Sequence, residues 1–335
     1  MTARDAAISA FLDAAGWGAA RRMTLAGDAS LRRYWRLHRN GETAVLMDAP
    51  PPHEDVRPFA RVAHMLARFD VSVPAVLAED AANGFLLLED FGDRLFGRTL
   101  AEQPARADEL YVLATDSLIA LQRRFAPPAD LPRFDDARAT AEASRVLEWL
   151  WPAQFGTACP DAIAAAYRAA WSAALPAWRG VPDGFIHFDF FVDNLVHLPA
   201  RDGARACGWL DFQDGVLGPS SFDLMSLLQD VRRDVPAELE RSMVDRYLAA
   251  FPALDRATFA ASYAVGGAQR NARILGTFVR LWKRDSKPSY LKYLPRVWAL
   301  LERDLAHPAL APVRGWFDHH LPPARRAEPL PGAPT

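Results

Sequence analysis

Lysine is almost missing from this chain. Of its 39 basic residues only Lys283, Lys287 and Lys292 are lysines, so the first 282 positions carry their positive charge on arginine and histidine alone. Cysteine is also scarce: Cys159 and Cys207 cannot build a disulfide framework, and Cys207 falls in an apolar strand-like run, which fits a reduced, cytoplasmic setting. No stretch offers about 18 uncharged apolar residues, so no membrane-spanning helix is expected. Residues 1–15 set Ile8, Phe11 and Leu12 against Asp5, Ser9 and Asp13, an amphipathic helix too polar and too short for a signal peptide. A net charge of −2 leaves no positive excess for nucleic acid or an anionic membrane surface. What is present is a 335-residue sequence, 50% hydrophobic and 24% charged, with the balance of a soluble globular protein and the length for two lobes.

The most informative stretch is His187-Phe188-Asp189-Phe190-Phe191-Val192-Asp193-Asn194, followed by the strand-like Cys207-Gly208-Trp209-Leu210 that ends in Asp211. An Asp in a loop can accept a proton from an attacking hydroxyl, and an Asn five residues on can turn back to a Mg2+ ion. A second carboxylate after the next hairpin can hold that ion against the β- and γ-phosphates of ATP. Asp189 is therefore the expected base, and Asn194 and Asp211 are the expected metal ligands. The competing reading is an ordinary loop, with Asp193-Asn194 a turn and Asp189 a helix cap. Asp211 falls at the end of a predicted strand, behind a turn at Arg201-Asp202-Gly203, which favours the catalytic reading. His187 and His197 have no cysteine or carboxylate cluster around them at zinc-ligand spacing.

This order and spacing resemble the His-x-Asp-x-x-x-x-Asn loop and metal-binding Asp of the protein-kinase-like superfamily, specifically its aminoglycoside phosphotransferase branch. Phe188 stands where eukaryotic protein kinases have Arg, and Asp211-Phe212-Gln213 stands for their Asp-Phe-Gly. The resemblance implies an α+β, bilobal protein-kinase-like fold, with a small antiparallel-sheet N-lobe and a mainly helical C-lobe. It also implies ATP and Mg2+ as cofactors, and structural support of the loop by His187 and by Asp223 of Phe222-Asp223-Leu224.

Periodicity along the chain agrees with that division. Strands are expected at 23–25, 33–38, 43–48, 73–77 and 85–88, with Asn40-Gly41 and Asn83-Gly84 as hairpin turns and a helix over 57–69. Helical patterns follow at about 106–124, 138–150, 161–178, 222–233, 237–250, 256–283 and 290–305, interrupted by strand signals at 185–186, 195–197 and 207–210. The expected boundaries are an N-lobe over 1–88, a hinge over 89–93, a C-lobe over 94–320, and a Pro-rich tail over 321–335 lying disordered outside the fold.

The first hairpin turn, with Gly27, Asp28 and Ser30, sits where a kinase covers the nucleotide phosphates, and Leu86 to Gly92 resembles the hinge. There the backbone around Glu89 and Phe91 would hydrogen-bond adenine. The third kinase strand normally carries a lysine paired with a helix Glu, but Thr43 to Asp48 has no lysine and the helix over 57–69 has no Glu. Either Arg32, Arg33 or Arg36 supplies the cation, or the protein is a catalytically silent nucleotide binder. The intact Asp189, Asn194 and Asp211 favour an enzyme.

Residues 270–296 are strongly basic, with Asp285 the only acid, which disfavours a cationic acceptor such as a polycationic aminoglycoside or choline. Arg273, Arg280 and Arg284 could equally form the wet face of a helix packed through Ile274, Phe278 and Leu281. A closer resemblance lies in Gly27 to Arg36, Met47-Asp48-Ala49-Pro50-Pro51, Leu210 to Asp214 and Gln269-Arg270-Asn271-x-Arg273-Ile274-Leu275-Gly276. These segments resemble the bacterial anomeric kinases of N-acetylmuramate and N-acetylglucosamine in peptidoglycan recycling. The resemblance implies a small-molecule sugar as partner, phosphorylated on its 1-hydroxyl, with the product passed to a uridylyltransferase. Arg270, Asn271 and Arg273 are then expected at the substrate, where an Arg fork suits a lactyl carboxylate, and Asp214 is expected at sugar hydroxyls or as a turn cap. Another small-molecule kinase of the same fold, for choline, homoserine, a thioribose or an antibiotic, is the alternative.

Overall fold

The computed structural model describes residues 2–25 and 31–334. By internal packing the chain divides into two units, one of residues 1–124 and 192–215 and one of residues 125–191 and 216–335. This division differs from the expected boundary at residues 88 to 94. The segment 94–124 and the hairpin carrying Asn194 and Asp211 pack with the N-terminal sheet: the Trp209 N–H donates to Ser72 O, the Trp209 indole N–H to Ser117 Oγ, and the His197 N–H to Arg94 O.

The first unit is built on a five-stranded antiparallel sheet of β1 (Arg21–Leu25), β2 (Arg33–Arg39), β3 (Glu42–Asp48), β4 (Val76–Asp80) and β5 (Phe85–Glu89), in the order β1-β2-β3-β5-β4. Asn40 and Gly41 both have positive φ, as a tight β2–β3 turn demands. Gly84 also has positive φ, and a Cβ there would stand 2.0 Å from the Ala49 carbonyl oxygen, so the β4–β5 turn admits glycine alone. Helix α1 (Ala3–Ala14) begins with a capping box in which Thr2 and Asp5 exchange hydrogen bonds. Its Ile8, Phe11 and Leu12 cover one sheet face at Leu37, Leu46, Phe85 and Leu87. Helix α2 (Arg57–Ala67) buries Phe59, Val62 and Leu66. After β5 come α3 (Phe96–Glu102), which the sequence pattern did not indicate, and α4 (Ala107–Arg124). β4 begins three residues later than expected: Ser72 forms an isolated bridge with Gly208, residues 73–75 stay outside the ladder, and a bulge separates Val76 from Ala78.

The second unit is mainly helical. Helices α5 (Asp136–Ala143), α6 (Trp151–Phe155), α7 (Asp161–Trp178), α8 (Phe222–Leu228) and α9 (Ala237–Ala250) precede its 28-residue axis, α10. Helix α10 (Arg256–Lys283) is N-capped by Asp255, which accepts the Thr258 N–H, and is buried almost without interruption from Ala264 to Gly276. At Gly276 a Cβ would meet the Arg145 backbone at 2.3 Å, so glycine permits the close crossing of α10 over the segment after α5. That segment forms a π turn over Val146–Leu150, which breaks the continuous helix expected over 138–150. Helix α8 likewise stops at Leu228, five residues early, as Gln229 leaves helical geometry.

Helices α11 (Leu294–Leu305), α12 (Ala311–His320) and the short α13 (Pro323–Arg326) complete the unit. The tail expected to lie outside the fold instead returns to it. Leu321 and Leu330 are buried in the helical core, and the Arg326 guanidinium bridges Asp318 and Glu302. Proline density misled because two leucines suffice to dock the segment. Among the described residues no helix is long and apolar enough to cross a membrane.

Candidate active site

In the second unit, the two-stranded ribbon of Asp183–Ile186 and Val216–Pro219 feeds directly into His187, Phe188 and Asp189. Asp223, in the first turn of α8, anchors this loop: its carboxylate accepts the His187 N–H at 2.6 Å and the Phe188 N–H at 3.2 Å. Burial pushes the Asp223 carboxyl up to about 7 against the opposing pull of those two N–H groups, and the nearby Asp189 charge adds to the rise. Phe188 has φ +82°, a left-handed conformation that a bulky side chain adopts only when its surroundings impose it. Those surroundings are a stack on Phe222, an edge contact with Phe134, and the guanidinium groups of Arg273 and Arg138 over its ring at 4.3 and 5.1 Å. Asp223 thus accepts two backbone N–H groups just ahead of Asp189, and His187 enters this contact through its own N–H.

Asp189 keeps a side-chain exposure of 43%, and Arg273 Nη2 lies 3.6 Å from its Oδ1. Arg273 also faces Glu142 at 3.6 Å, from the C-terminal half of α5. One turn back along α10, Arg270 is buried, with Nη1 donating to the Gln229 carbonyl at 3.2 Å and Nε lacking a hydrogen-bond partner. Burial and the Arg273 charge lower the Arg270 pKa to about 10, while Asp189 and Asp230 hold it up. The unit thus gathers Arg270 and Arg273 around the Asp189 carboxylate. Asn271 does not join them. It is fully buried on another face of α10, where its amide donates to Gln229 Oε1 at 2.9 Å and Asp304 Oδ2 at 3.2 Å, so the substrate contact expected of it is corrected to a core polar network.

In the first unit, the hairpin of Leu195–His197 and Cys207–Trp209 carries the other pair. The Leu210 N–H donates to the Asn194 carbonyl at 2.9 Å, so Asn194 and Asp211 sit together at the open end of the hairpin. Asp211 has φ +59°, and its Oδ1 accepts the Gln213 amide at 2.8 Å. Phe212 is buried against Phe59 of α2, with ring centroids 4.7 Å apart, which ties the segment to that helix. Asp214 is exposed in the turn closed by the Gly215 N–H on Phe212 O. Glu89 pairs with Arg201, whose guanidinium also lies 5.0 Å over the Phe91 ring. Gly27, Asp28 and Ser30 lie outside the described residues.

The arginines considered in place of the missing lysine all have acidic partners. Arg36 reaches Asp90 and Asp93 at 2.7 Å each, Arg33 shares the fully buried Asp48 with Arg4, and Arg32 Nε donates to Glu54 Oε2 at 3.0 Å. Glu54 and Glu142 lie outside every motif and carry no local signal; the fold alone brings them to their arginines.

Residues 22–260 match the phosphotransferase enzyme family. An N-acetylmuramate/N-acetylglucosamine kinase of Caulobacter vibrioides is 39% identical over 95% of this chain and 97% of its own. The chain belongs to the phosphotransferase enzyme family, in the branch of these kinases. A kinase of the same description from Pseudomonas aeruginosa is 33% identical, over 92% of this chain and 91% of its own. Among solved structures, a choline/ethanolamine kinase family protein from Mesorhizobium loti shares the fold, with TM-score 0.63 and 17% identity over 93% of this chain and 99% of that one. The ADP-bound aminoglycoside phosphotransferase APH(2'')-Ib does so with TM-score 0.55 and 16% identity, over 84% and 92%.

Proposed function

We propose that this protein is an ATP-dependent cytoplasmic kinase that phosphorylates the anomeric hydroxyl of N-acetylmuramate and N-acetylglucosamine during peptidoglycan recycling. Its sugar 1-phosphate would then pass to a uridylyltransferase. The kinship with kinases of these sugars supports the choice of acceptor. The observation that carries it is the buried Arg270, whose Nε has no partner, beside Arg273 and Asp189. A guanidinium so placed calls for an anion, which the lactyl carboxylate of N-acetylmuramate offers and a cationic acceptor does not.

Asp189 takes the proton of the 1-hydroxyl as that oxygen attacks the γ-phosphorus, and ADP leaves. A hemiacetal hydroxyl is more acidic than an ordinary alcohol, so a carboxylate is an adequate base or orienting group. Asn194 and Asp211 would hold Mg2+ through their side-chain oxygens, and their adjacency at one hairpin end fits a hard cation. The bound ion would neutralise charge on the β- and γ-phosphates. Asp223 and His187 hold the loop, and the backbone about Glu89 and Phe91 receives adenine.

An ATPase-coupled screen of amino sugars and amino alcohols, with the product read by phosphorus NMR, tests the reading. The expected product is a sugar 1-phosphate from both sugars. Phosphate on the 6-hydroxyl, or turnover of an amino alcohol alone, would overturn the acceptor assignment and leave the family unaffected.

A further inference from the structure

Arg273 is suspended between two carboxylates. Its Nη1 lies 3.6 Å from Glu142 Oε2 and its Nη2 lies 3.6 Å from Asp189 Oδ1, so neither contact is drawn in to the about 2.7–2.9 Å of a closed charge-assisted bond. The side chains of Arg273 and Glu142 are only 10% and 12% exposed, and water therefore screens little of the pull between them. Phe188, under the guanidinium at 4.3 Å, keeps Arg273 beside the loop. An arginine in that place with no second carboxylate would close onto Asp189 and occupy the group that has to take a proton.

Glu142 is itself firmly held. Its Oε1 accepts the Nε–H of Arg138, one turn earlier in α5, at 3.1 Å, while its buried Oε2 has no hydrogen-bond partner and faces Arg273. The backbone on either side is pinned as well: the Gln269 amide of α10 donates to the Ala139 carbonyl at 2.9 Å, and the Tyr167 hydroxyl of α7 to the Ala143 carbonyl at 2.8 Å. Gln269 stands one turn before Arg273, so the register of α5 against α10 is fixed where the two side chains meet. Arg138, Glu142, Arg273 and Asp189 thus form a row of alternating charge that runs from α5 to the loop.

Resting on the kinase reading above, we propose that Glu142 is a positioning residue, which draws the Arg273 guanidinium back and so keeps it from capturing the Asp189 carboxylate. The test is turnover of N-acetylglucosamine, an acceptor with no carboxylate for Arg273 to bind, by the full-length wild type, Glu142→Gln, Arg273→Ala and the double variant. Glu142→Gln is expected to lower kcat roughly tenfold with KM for the sugar within about threefold, and to change kcat by less than about twofold once Arg273 is alanine, because a residue acting through Arg273 has no effect without it. Glu142→Asp, which withdraws the charge by one methylene, should lower kcat by about threefold and lose that effect in the same background. This second pair decides the matter if the glutamine variant does not fold. An equal loss of kcat in both backgrounds, a change in KM alone, or no change at all would overturn the proposal. A wild type that does not phosphorylate N-acetylglucosamine overturns the acceptor reading itself, and the proposal with it.

Discussion

Arg273 Nη2 stands 3.6 Å from Asp189 Oδ1 while its guanidinium lies 4.3 Å over the Phe188 ring, so the expected base and a buried cation are held against each other by the residue between Asp189 and His187. Replacing Asp189 by Asn keeps the shape and removes the proton acceptor. Turnover is expected to fall roughly 10²-fold or more, with ATP affinity within a few-fold of wild type. Near-normal turnover in Asp189→Asn would remove Asp189 from the chemistry.

Arg270 and its unpartnered Nε make a sharper demand on substrate discrimination. N-acetylmuramate differs from N-acetylglucosamine by one lactyl carboxylate, which only a nearby cation can sense. Arg270→Ala is expected to raise KM for N-acetylmuramate by roughly 10- to 150-fold more than for N-acetylglucosamine, the equivalent of a charge-assisted contact of about 1.5–3 kcal/mol. Parallel losses on both sugars would assign Arg270 to the architecture of the loop.

Asp304 supplies a pH signature away from the site. Burial raises its carboxyl to about 8, well above the ordinary carboxylate range, although Gln229 and Asn271 donate to it and Arg303 lies near. Between about pH 4 and pH 8 the unfolded chain has released a proton that the folded chain keeps, so this group makes the fold less stable as pH rises through that window. Asp304→Asn lacks the titration. The stability advantage of wild type over the variant should shrink steadily from pH 5 to pH 8 in parallel thermal melts, and a constant difference would show that Asp304 does not keep its proton.

Two glycines predict opposite outcomes for the same substitution. Gly276→Ala drives a methyl to 2.3 Å from the Arg145 backbone, and neither helix nor π turn can give way cheaply, so a loss of about 2 kcal/mol or more is expected. Gly315, inside α12, has open space around its Cβ position, and Gly315→Ala should stabilise by about 0.5–1 kcal/mol. Urea midpoints of the two variants should move in opposite directions.

The placement of the candidate loop and hairpin was legible because it is local. His187 to Asn194 and Asp211 are separated by one hairpin, and strand alternation and turn residues place them without reference to the rest of the chain. Helices α7, α9 and α10 also begin and end where their periodicity runs out. The failures share a cause in tertiary contact. Val146, Leu147 and Leu150 keep a helical rhythm straight through the π turn, so nothing local marks the break. Asn271 lies in a stretch of α10 buried on all sides, where helical phase cannot tell a substrate-facing side chain from one facing Asp304. Glu54 and Glu142 became visible only through the arginines they hold.

The distribution of amines has a consequence for chemical profiling. Lys283 closes α10, with its ammonium 3.7 Å over the Trp282 ring, and Lys287 and Lys292 follow within nine residues. The strands that stand for the nucleotide-covering sheet therefore contain no side-chain amine. An acylating ATP analogue, which marks most kinases by transferring its acyl group to the phosphate-binding lysine, has no lysine to capture there. In a labelled extract this protein would pass unseen, and reagents directed at arginine would be needed to find its nucleotide site.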